Sequence, residues 1–143
     1  MSGDRPPLLV VDAANVVGSV PDGWWRDRAA ATERLRNTLA AVARTGLPDT
    51  GLRGSPDAGA VSLAGPLDVV LVVEGAARRV AGIPGVRVVP ATASGDDAIV
   101  DLVRDECADR QCVVVTADRE LRSRVTELGA DVIGPRSVRR IRE

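Results

Sequence analysis

The sequence contains no His, Lys, Phe or Tyr among its 143 residues. Without His, the chain can build neither a histidine-based catalytic triad nor a histidine zinc ligand, and without Lys it has no Schiff-base or P-loop lysine. All 19 basic side chains are therefore arginines, against 20 acidic ones. Any chemistry that this chain performs must rest mainly on carboxylates, which are the ligands that hard cations such as Mg²⁺ or Mn²⁺ prefer.

The sequence also lacks a strong net charge and a long apolar segment. Its formal net charge is −1 and its pI about 5.5, so no overall basic field attracts nucleic acid, and a polyanionic partner needs a local arginine patch. No apolar run approaches the roughly 20 residues of a membrane span, and no signal region precedes Asp12. We therefore expect a cytoplasmic protein without a membrane partner, and a homodimer is left open.

Cysteine is scarce. The two thiols, Cys107 and Cys112, do not have the CxxC spacing of metal and redox motifs. In a cytoplasmic chain this pattern favours buried or unreactive cysteines over a disulfide or a metal site. We therefore predict two free thiols.

Short apolar runs alternate with helix-like segments along the chain. The predicted strands are 8–11, 67–73, 86–89, 112–115 and 131–133. The predicted helices are 26–44, 94–107 and 118–128, and Gly129 fits the C-cap of the last one. Almost fully apolar strands that alternate with helices are typical of a parallel sheet covered on both faces. We predict one α/β domain over residues 1–143, with three α/β/α layers and a mainly parallel sheet of about five strands.

Two segments fall outside this alternation. Residues 46–66 are rich in Gly, Pro, Asp and Ser and show no periodicity, so we predict a flexible loop or an insertion there. Residues 135–143 form a basic tail that contains Arg136, Arg139, Arg140 and Arg142. The tail can hold a nucleic-acid backbone or an acidic partner.

Acidic residues recur where the predicted strands end. Asp12 ends LLVVD, Glu74 ends VVLVVE and Asp118 follows the strand in CVVVTAD. Asp96 and Asp97 open a predicted helix. Because ligand sites in open parallel sheets lie beyond the carboxyl ends of the strands, the predicted fold gathers these acids at one edge. A divalent ion between them would relieve their repulsion and lower the pKa of a bound water.

Several of these acids also have a purely structural interpretation. Asp12 can end its strand in a turn with Asn15. Asp97 can complete a capping box with Ser94, and Asp118 can serve as a simple N-cap. What favours a functional site is the coincidence of the acids on one edge rather than any one residue.

Four short motifs, in this order, resemble those of the NYN domain, a branch of the PIN-like nuclease superfamily. VDAAN resembles the opening (V/I)DxxN of that family, SGDDAI its (A/S)DD helix start and VTADREL its (S/T)xDxxL, with VVLVVEG between the first two. The resemblance extends from Leu8 to Ile133. It implies a PIN-like fold, a metal-dependent ribonuclease and RNA as the partner.

The resemblance also implies roles for individual residues. The implied ligands of Mg²⁺ or Mn²⁺ are Asp12, Asp96, Asp97 and Asp118. Thr116 would line the site, and Asn15 would orient a carboxylate or a water molecule. Glu74 stands where relatives commonly carry Asp, and its longer side chain implies an assisting role in place of direct metal binding.

Side chains near this edge are candidates for contacts with RNA. Trp24 precedes the first predicted helix, where it can stack on a base or, alternatively, pack as an apolar lid. Three arginines are expected near the same edge, namely Arg26 at the start of the first predicted helix, Arg78 after Glu74 and Arg119 after Asp118. Each can bind a phosphate in bidentate fashion, with plain surface solvation as the structural alternative.

The sequence thus predicts divalent-metal-dependent hydrolysis of RNA phosphodiester bonds. The alternatives are a non-catalytic RNA- or ribosome-binding module of the same fold and the toxin of a toxin–antitoxin pair. A phosphatase with an aspartyl nucleophile fits poorly, because Ala14 stands where its DxD motif needs a second Asp and the chain has no Lys.

Overall fold

The computed structural model describes residues 6–18, 27–47, 63–135 and 138. In chain order its elements are β1 (Leu8–Asp12), α1 (Ala13–Gly18), α2 (Arg28–Thr45), β2 (Gly46–Leu47), β3 (Leu63–Ala64), β4 (Asp68–Val73), a 3₁₀ helix (Gly75–Arg79), β5 (Val86–Pro90), α3 (Gly95–Glu106), β6 (Cys112–Val115), α4 (Arg119–Glu127) and β7 (Asp131–Ile133). Within these ranges, no helix combines the length and the apolar character that crossing a bilayer requires.

Five strands form a parallel sheet in the order β5-β4-β1-β6-β7, which confirms the predicted fold class. The central strand is β1, and all five of its residues are buried. Its register places Asp12 beside Val72 of β4 and Val11 beside Val115 of β6. β4 and β5 lie on one side of β1, and β6 and β7 lie on the other, so the strand order reverses between β1 and β6. Open parallel sheets form their ligand-binding crevice at such a position, beyond the carboxyl ends of the strands.

Helices cover both faces of this sheet. Successive side chains of a strand point to opposite faces, so β1 contributes to two apolar clusters. On one face Leu9 belongs to a cluster with Leu39 of α2. On the other face Val10 belongs to a cluster with Ile99 of α3 and Leu121 of α4. The sheet is therefore the middle layer of an α/β/α domain.

The two ends of the segment predicted as an aperiodic loop form a small antiparallel ribbon. Gly46 pairs with Ala64, and Leu47 pairs with Leu63. Strands of two residues are too short to show an alternating pattern in the sequence. Residues 48–62 lie outside the described part of the chain, so the flexible loop predicted there stays a prediction.

Cys107 and Cys112 form a disulfide, so the prediction of free thiols was wrong. Cys107 caps the end of α3 and Cys112 begins β6, and the turn between them brings their Cα atoms to 5.7 Å. That separation lies within the range that a disulfide spans. The disulfide forms because the chain reverses direction between α3 and β6, and no cysteine motif in the sequence predicts this reversal. Because disulfides are rare in reducing compartments, the cytoplasmic location stays a prediction.

A buried arginine connects elements at the opposite edge of the sheet. The side chain of Arg110 is 2 % exposed and contacts Asp68 Oδ2 at 3.0 Å and Glu106 Oε1 at 2.8 Å. Arg87 is 46 % exposed and reaches the same Glu106 oxygen at 2.9 Å. These ion pairs join the amino end of β4 to the carboxyl end of α3, away from the acids described below.

Candidate active site

Asp12 ends β1 with hydrogen bonds to both carboxylate oxygens. The Thr116 hydroxyl donates to Oδ2 at 3.0 Å, and the Asn15 backbone N–H donates to Oδ1 at 3.4 Å. Asp12 is only 7 % exposed. Burial raises the pKa of Asp12 from 3.8 to about 6, and the charges of Asp96 and Glu74 add to the rise, whereas the two hydrogen bonds oppose it. The structure thus holds a desolvated carboxylate among like charges.

Thr116 and Asn15 connect β1 to the turn between β6 and α4. The buried hydroxyl oxygen of Thr116 accepts from the Asp118 backbone N–H at 3.1 Å. The side-chain oxygen of Asn15 accepts from the Ala117 backbone N–H at 2.9 Å. Asn15 therefore orients the Asp12 carboxylate through its backbone, while its side chain holds the neighbouring turn. Asp12 makes the Asx-type contact with Asn15 that the sequence predicts, and it also belongs to the candidate site.

Asp118 is the N-cap of α4. Its Oδ1 accepts from the Leu121 backbone N–H at 3.0 Å, which is the structural role that the sequence offered as an alternative. Its charge nevertheless raises the pKa of Asp96. The two roles are compatible, because a carboxylate that caps a helix through one oxygen still has a second oxygen to offer.

Asp96 lies in the first turn of α3, close to the charges of other acids. Burial is the largest cause of its raised pKa, followed by the charges of Asp118 and Glu74, while Arg124 acts in the opposite direction. The charge of Asp96 in turn raises the pKa of Asp12. Asp96 therefore interacts electrostatically with Asp12 at the end of β1 and with Asp118 at the start of α4.

Glu74 directly follows β4, and its side chain binds the start of α3. Its Oε2 accepts from the Gly95 backbone N–H with an N···O distance of 2.5 Å. A Cβ atom at position 95 would lie 3.0 Å from this oxygen, so the glycine allows the close approach. Gly95 in SGDD is the sequence signal for this contact, because a glycine before the paired acids leaves room for a carboxylate. Glu74 thus joins β4 to α3 beside the acids.

The side chain of Asp97 forms an ion pair with Arg124 of α4. Its side chain is 66 % exposed, and its Oδ1 accepts from Arg124 Nη2 at 3.1 Å. Its backbone N–H donates to Ser94 Oγ at 3.2 Å, which confirms Ser94 as the cap of α3. No sequence pattern predicts the role of Arg124, because its partner lies on another helix.

The acids of the candidate site offer carboxylate oxygens to an ion, but they do not surround one. Within the described ranges, no three acidic side chains come close enough together to surround a cation. Mg²⁺ commonly binds through one or two carboxylates and keeps several waters, and oxygen donors suit Mn²⁺ as well. Because the charge of Asp96 acts on Asp12, a site built on these two carboxylates suits a partly hydrated Mg²⁺ or Mn²⁺ better than an ion caged by protein.

The residues expected to contact RNA are described in part. Arg78 lies in the 3₁₀ helix after Glu74 and Arg119 begins α4, and both are exposed. Trp24, Arg26 and all four arginines of the basic tail lie outside the described residues. The roles predicted for them stay predictions.

A cavity of about 180 Å³ opens beside Glu74. Its other lining residues are Ala13, Ala14, Val17, Arg28, Thr32 and Ala77. They belong to α1, α2 and the 3₁₀ helix, which are separated in sequence and meet only in the folded chain. No pattern in the sequence predicts this cavity.

Comparison with known proteins identifies the fold. No family model and no curated protein matches the sequence. The structure is similar to two crystal structures of Rae1 (YacP) from Bacillus subtilis, the wild type and the W164L mutant, both with a TM-score of 0.64. The wild type is 20 % identical, with 93 % of this chain and 71 % of that chain covered, and the mutant is 18 % identical, with 94 % and 73 % covered. This likeness supports the α/β/α fold, while membership of the NYN family stays a prediction.

Proposed function

We propose that this chain is a divalent-metal-dependent ribonuclease that hydrolyses RNA phosphodiester bonds at the carboxyl edge of its sheet. The observation that carries the proposal is the buried Asp12 carboxylate, whose pKa is raised to about 6 beside the charges of Asp96 and Glu74. Such a concentration of negative charge costs stability unless a cation neutralises it. Its position at the crevice of a parallel sheet is where ligands of such folds bind.

In this proposal Asp12 and Asp96 hold Mg²⁺ or Mn²⁺, water molecules complete its coordination, and Asp118 adds negative charge beside Asp96. The bound ion supplies a water of lowered pKa and neutralises charge on the phosphate. Thr116 and Asn15 keep the Asp12 carboxylate in its orientation through their hydrogen bonds.

Two other acids take supporting parts in the same proposal. Glu74 is fixed through Oε2 to Gly95 and adds negative charge beside Asp12 and Asp96. Asp97, which the resemblance implies as a ligand, neutralises Arg124 on α4 and aligns the two helices. Thermal melts of Asp96→Asn and Asp97→Asn with and without Mn²⁺ separate the roles of these two acids.

The test of catalysis is cleavage of single-stranded RNA by the purified chain in the presence of Mn²⁺. Asp12→Asn preserves size and removes the charge, so cleavage should fall by at least about a hundredfold. Asp105→Asn removes a charge from an exposed position of α3 and should cleave like the wild type. Equal cleavage by wild type and Asp12→Asn would overturn the proposal.

RNA is the proposed partner, bound in part through arginines at this edge. Arg78 follows Glu74 and Arg119 follows Asp118 in the chain, and both are exposed. Loss of each phosphate contact should change the logarithmic salt dependence of binding to a single strand by roughly 0.7. The matched control is Arg34→Ala with Arg44→Ala, exposed positions of α2. An equal slope in this control and in Arg78→Ala with Arg119→Ala would show that Arg78 and Arg119 do not contact RNA.

A non-catalytic RNA- or ribosome-binding module of the same fold is the second candidate. The observation that favours it is that no three acids in the described ranges converge on one point. Calorimetric titration with Mn²⁺ in the absence of RNA separates the two functions. Binding heat that disappears in Asp12→Asn supports the nuclease, whereas RNA binding without any metal binding supports the module.

A further inference from the structure

The cavity beside Glu74 has mostly small apolar walls. Ala13 and Ala14 follow Asp12 directly in the chain, and Ala77 of the 3₁₀ helix also lines the cavity. Its volume of about 180 Å³ lies below the roughly 300 Å³ at which pockets for drug-sized molecules begin. Small side chains and a small volume suit a single planar ring system.

Two groups of opposite charge, together with Val17 and Thr32, complete the lining. Glu74 is an acceptor, and Arg28 of α2 is a donor. Arg28 Nη1 lies 3.7 Å from the place that a Cβ of residue 75 would occupy, and Gly75 has a φ of +60°. The glycine therefore permits both the turn after Glu74 and the approach of the guanidinium group. A ligand in the cavity meets an acceptor and a donor together with apolar walls.

Glu74 links this cavity to the acids of the proposed active site. Its charge raises the pKa values of both Asp12 and Asp96, and its side chain lines the cavity. Ala13 and Ala14 of the lining directly follow Asp12 in the chain, so the cavity lies next to the place proposed for the cleaved phosphate. In RNA the groups next to a phosphate are riboses, and each ribose carries a nucleobase.

We propose that the cavity binds one nucleobase of the RNA next to the cleaved phosphate and thereby selects the sequence that is cut. The inference rests on the proposed function, because Glu74 belongs to both sites. Proteins commonly recognise single-stranded RNA through unstacked bases, whose edges form hydrogen bonds with side chains of the protein. Guanine presents two adjacent N–H donors to a carboxylate and a carbonyl oxygen to a guanidinium group, so it is the base that Glu74 and Arg28 fit best.

Binding of free nucleosides tests the cavity without requiring any cleavage. Guanosine, adenosine, cytidine and uridine are titrated into the metal-free wild-type chain and followed by changes in NMR chemical shifts. Guanosine should bind at least about tenfold more tightly than uridine, which corresponds to about 1.4 kcal/mol. No binding of guanosine, or equal binding of all four nucleosides, would overturn the proposal.

A variant that fills the cavity gives the matching structural test. Ala14 is exposed on α1, so Ala14→Leu adds a side chain to the lining without crowding the core. The affinity for guanosine should fall at least about tenfold, whereas Ala81→Leu, an exposed alanine outside the lining, should bind like the wild type. Melting temperatures of the three proteins show whether each is folded. Unchanged guanosine binding by a folded Ala14→Leu chain would overturn the proposal.

Mapping the cut sites in RNA with Mn²⁺ separates failure of the cavity proposal from failure of the nuclease proposal. Guanine at a constant position beside the cuts, with the preference lost in Ala14→Leu, supports the base site. Cleavage without base preference, in a chain that binds no guanosine, overturns the base site and leaves the nuclease standing. If Ala14→Leu abolishes guanosine binding but the wild-type chain cleaves no RNA, the result supports the base site and overturns the nuclease proposal.

Discussion

The Thr116 hydroxyl donates to Asp12 Oδ2 across 3.0 Å, which joins the end of β1 to the residue that follows β6. The same hydroxyl oxygen accepts from the Asp118 backbone N–H at 3.1 Å. One fully buried side chain therefore holds a carboxylate of the sheet and the start of α4 together. The geometry of the candidate site depends on this side chain although Thr116 carries no charge.

Replacing Thr116 with Val should lower the free energy of unfolding by about 1–3 kcal/mol at pH 7, because buried polar groups lose their partner. The change keeps the shape of the side chain but leaves Asp12 Oδ2 without a donor and the Asp118 N–H without an acceptor. Urea denaturation measures the loss. Thr116→Ser should recover most of it, and Thr126→Val, at an exposed position of α4, should change stability by less than about 0.5 kcal/mol. Equal losses for both valine variants would contradict the assigned role.

Asp12 should make the apo protein less stable as the pH rises from about 4 to about 6. Its pKa is 3.8 ordinarily and about 6 in the folded chain, so in this window the folded chain binds the proton more tightly than the unfolded chain. The rise corresponds to about 3 kcal/mol of stability, present below pH 4 and lost above pH 6. Denaturant titrations across pH 3–8 test this, with Asp12→Asn as the variant that lacks the group.

At pH 7.5 Asp12→Asn should be more stable than the wild type by up to about 3 kcal/mol in the absence of metal. The gain is smaller if the amide accepts only one of the two hydrogen bonds that the carboxylate accepts. The pH dependence between 4 and 6 should flatten in this variant. A wild type whose stability increases across this window, or a variant with an unchanged profile, would show that Asp12 is not the cause.

Mn²⁺ should raise the melting temperature of the wild type and of Asp97→Asn, but hardly that of Asp96→Asn. An ion that binds only the folded chain stabilises it by about 2.7 kcal/mol at a hundred times its Kd. The charge of Asp96 acts on Asp12, whereas the exposed carboxylate of Asp97 pairs with Arg124. Thermal melts with and without Mn²⁺ measure the difference. Complete loss of the metal effect in Asp97→Asn would assign the ligand role to Asp97 after all.

Arg110→Ala should destabilise the fold far more than Arg87→Ala, although both arginines bind the same two acids, Asp68 and Glu106. The side chain of Arg110 is 2 % exposed and that of Arg87 is 46 % exposed. The buried Arg110 side chain also donates to the carbonyl oxygens of Pro6 and Glu106, so its removal should cost about 2–3 kcal/mol, whereas the exposed pairs of Arg87 contribute at most about 1 kcal/mol. Chemical denaturation at pH 7 compares the two. Equal effects would mean that burial does not set the strength of these pairs.

Reducing the disulfide between Cys107 and Cys112 should lower stability by about 2 kcal/mol, because the bond closes a short loop in the unfolded chain. Melts with and without dithiothreitol measure this effect. Cys107→Ala with Cys112→Ala should melt like the reduced wild type and should not respond to the reductant. A wild type that reductant leaves unchanged would show that the bond contributes no stability.

The sequence by itself determined the strand order along the chain and the edge at which the acids lie. Runs such as LLVVD and VVLVVE are apolar throughout, because each strand of a parallel sheet is buried on both faces. An acid at the end of such a run must lie where the strand leaves the core. The alternation of apolar strands with helices predicts a parallel sheet, in which the carboxyl ends of the strands meet at one edge. The sequence alone therefore predicts that Asp12, Glu74 and Asp118 lie at that edge.

The tertiary structure alone decided which partners each side chain meets. Asp97 pairs with Arg124 because α3 packs beside α4, and Cys107 meets Cys112 because the chain reverses between helix and strand. The cavity beside Glu74 is formed by residues that come from three separate elements. Contacts of this kind depend on the positions of whole helices against the sheet, and hydrophobic periodicity shows only which face of each helix is buried.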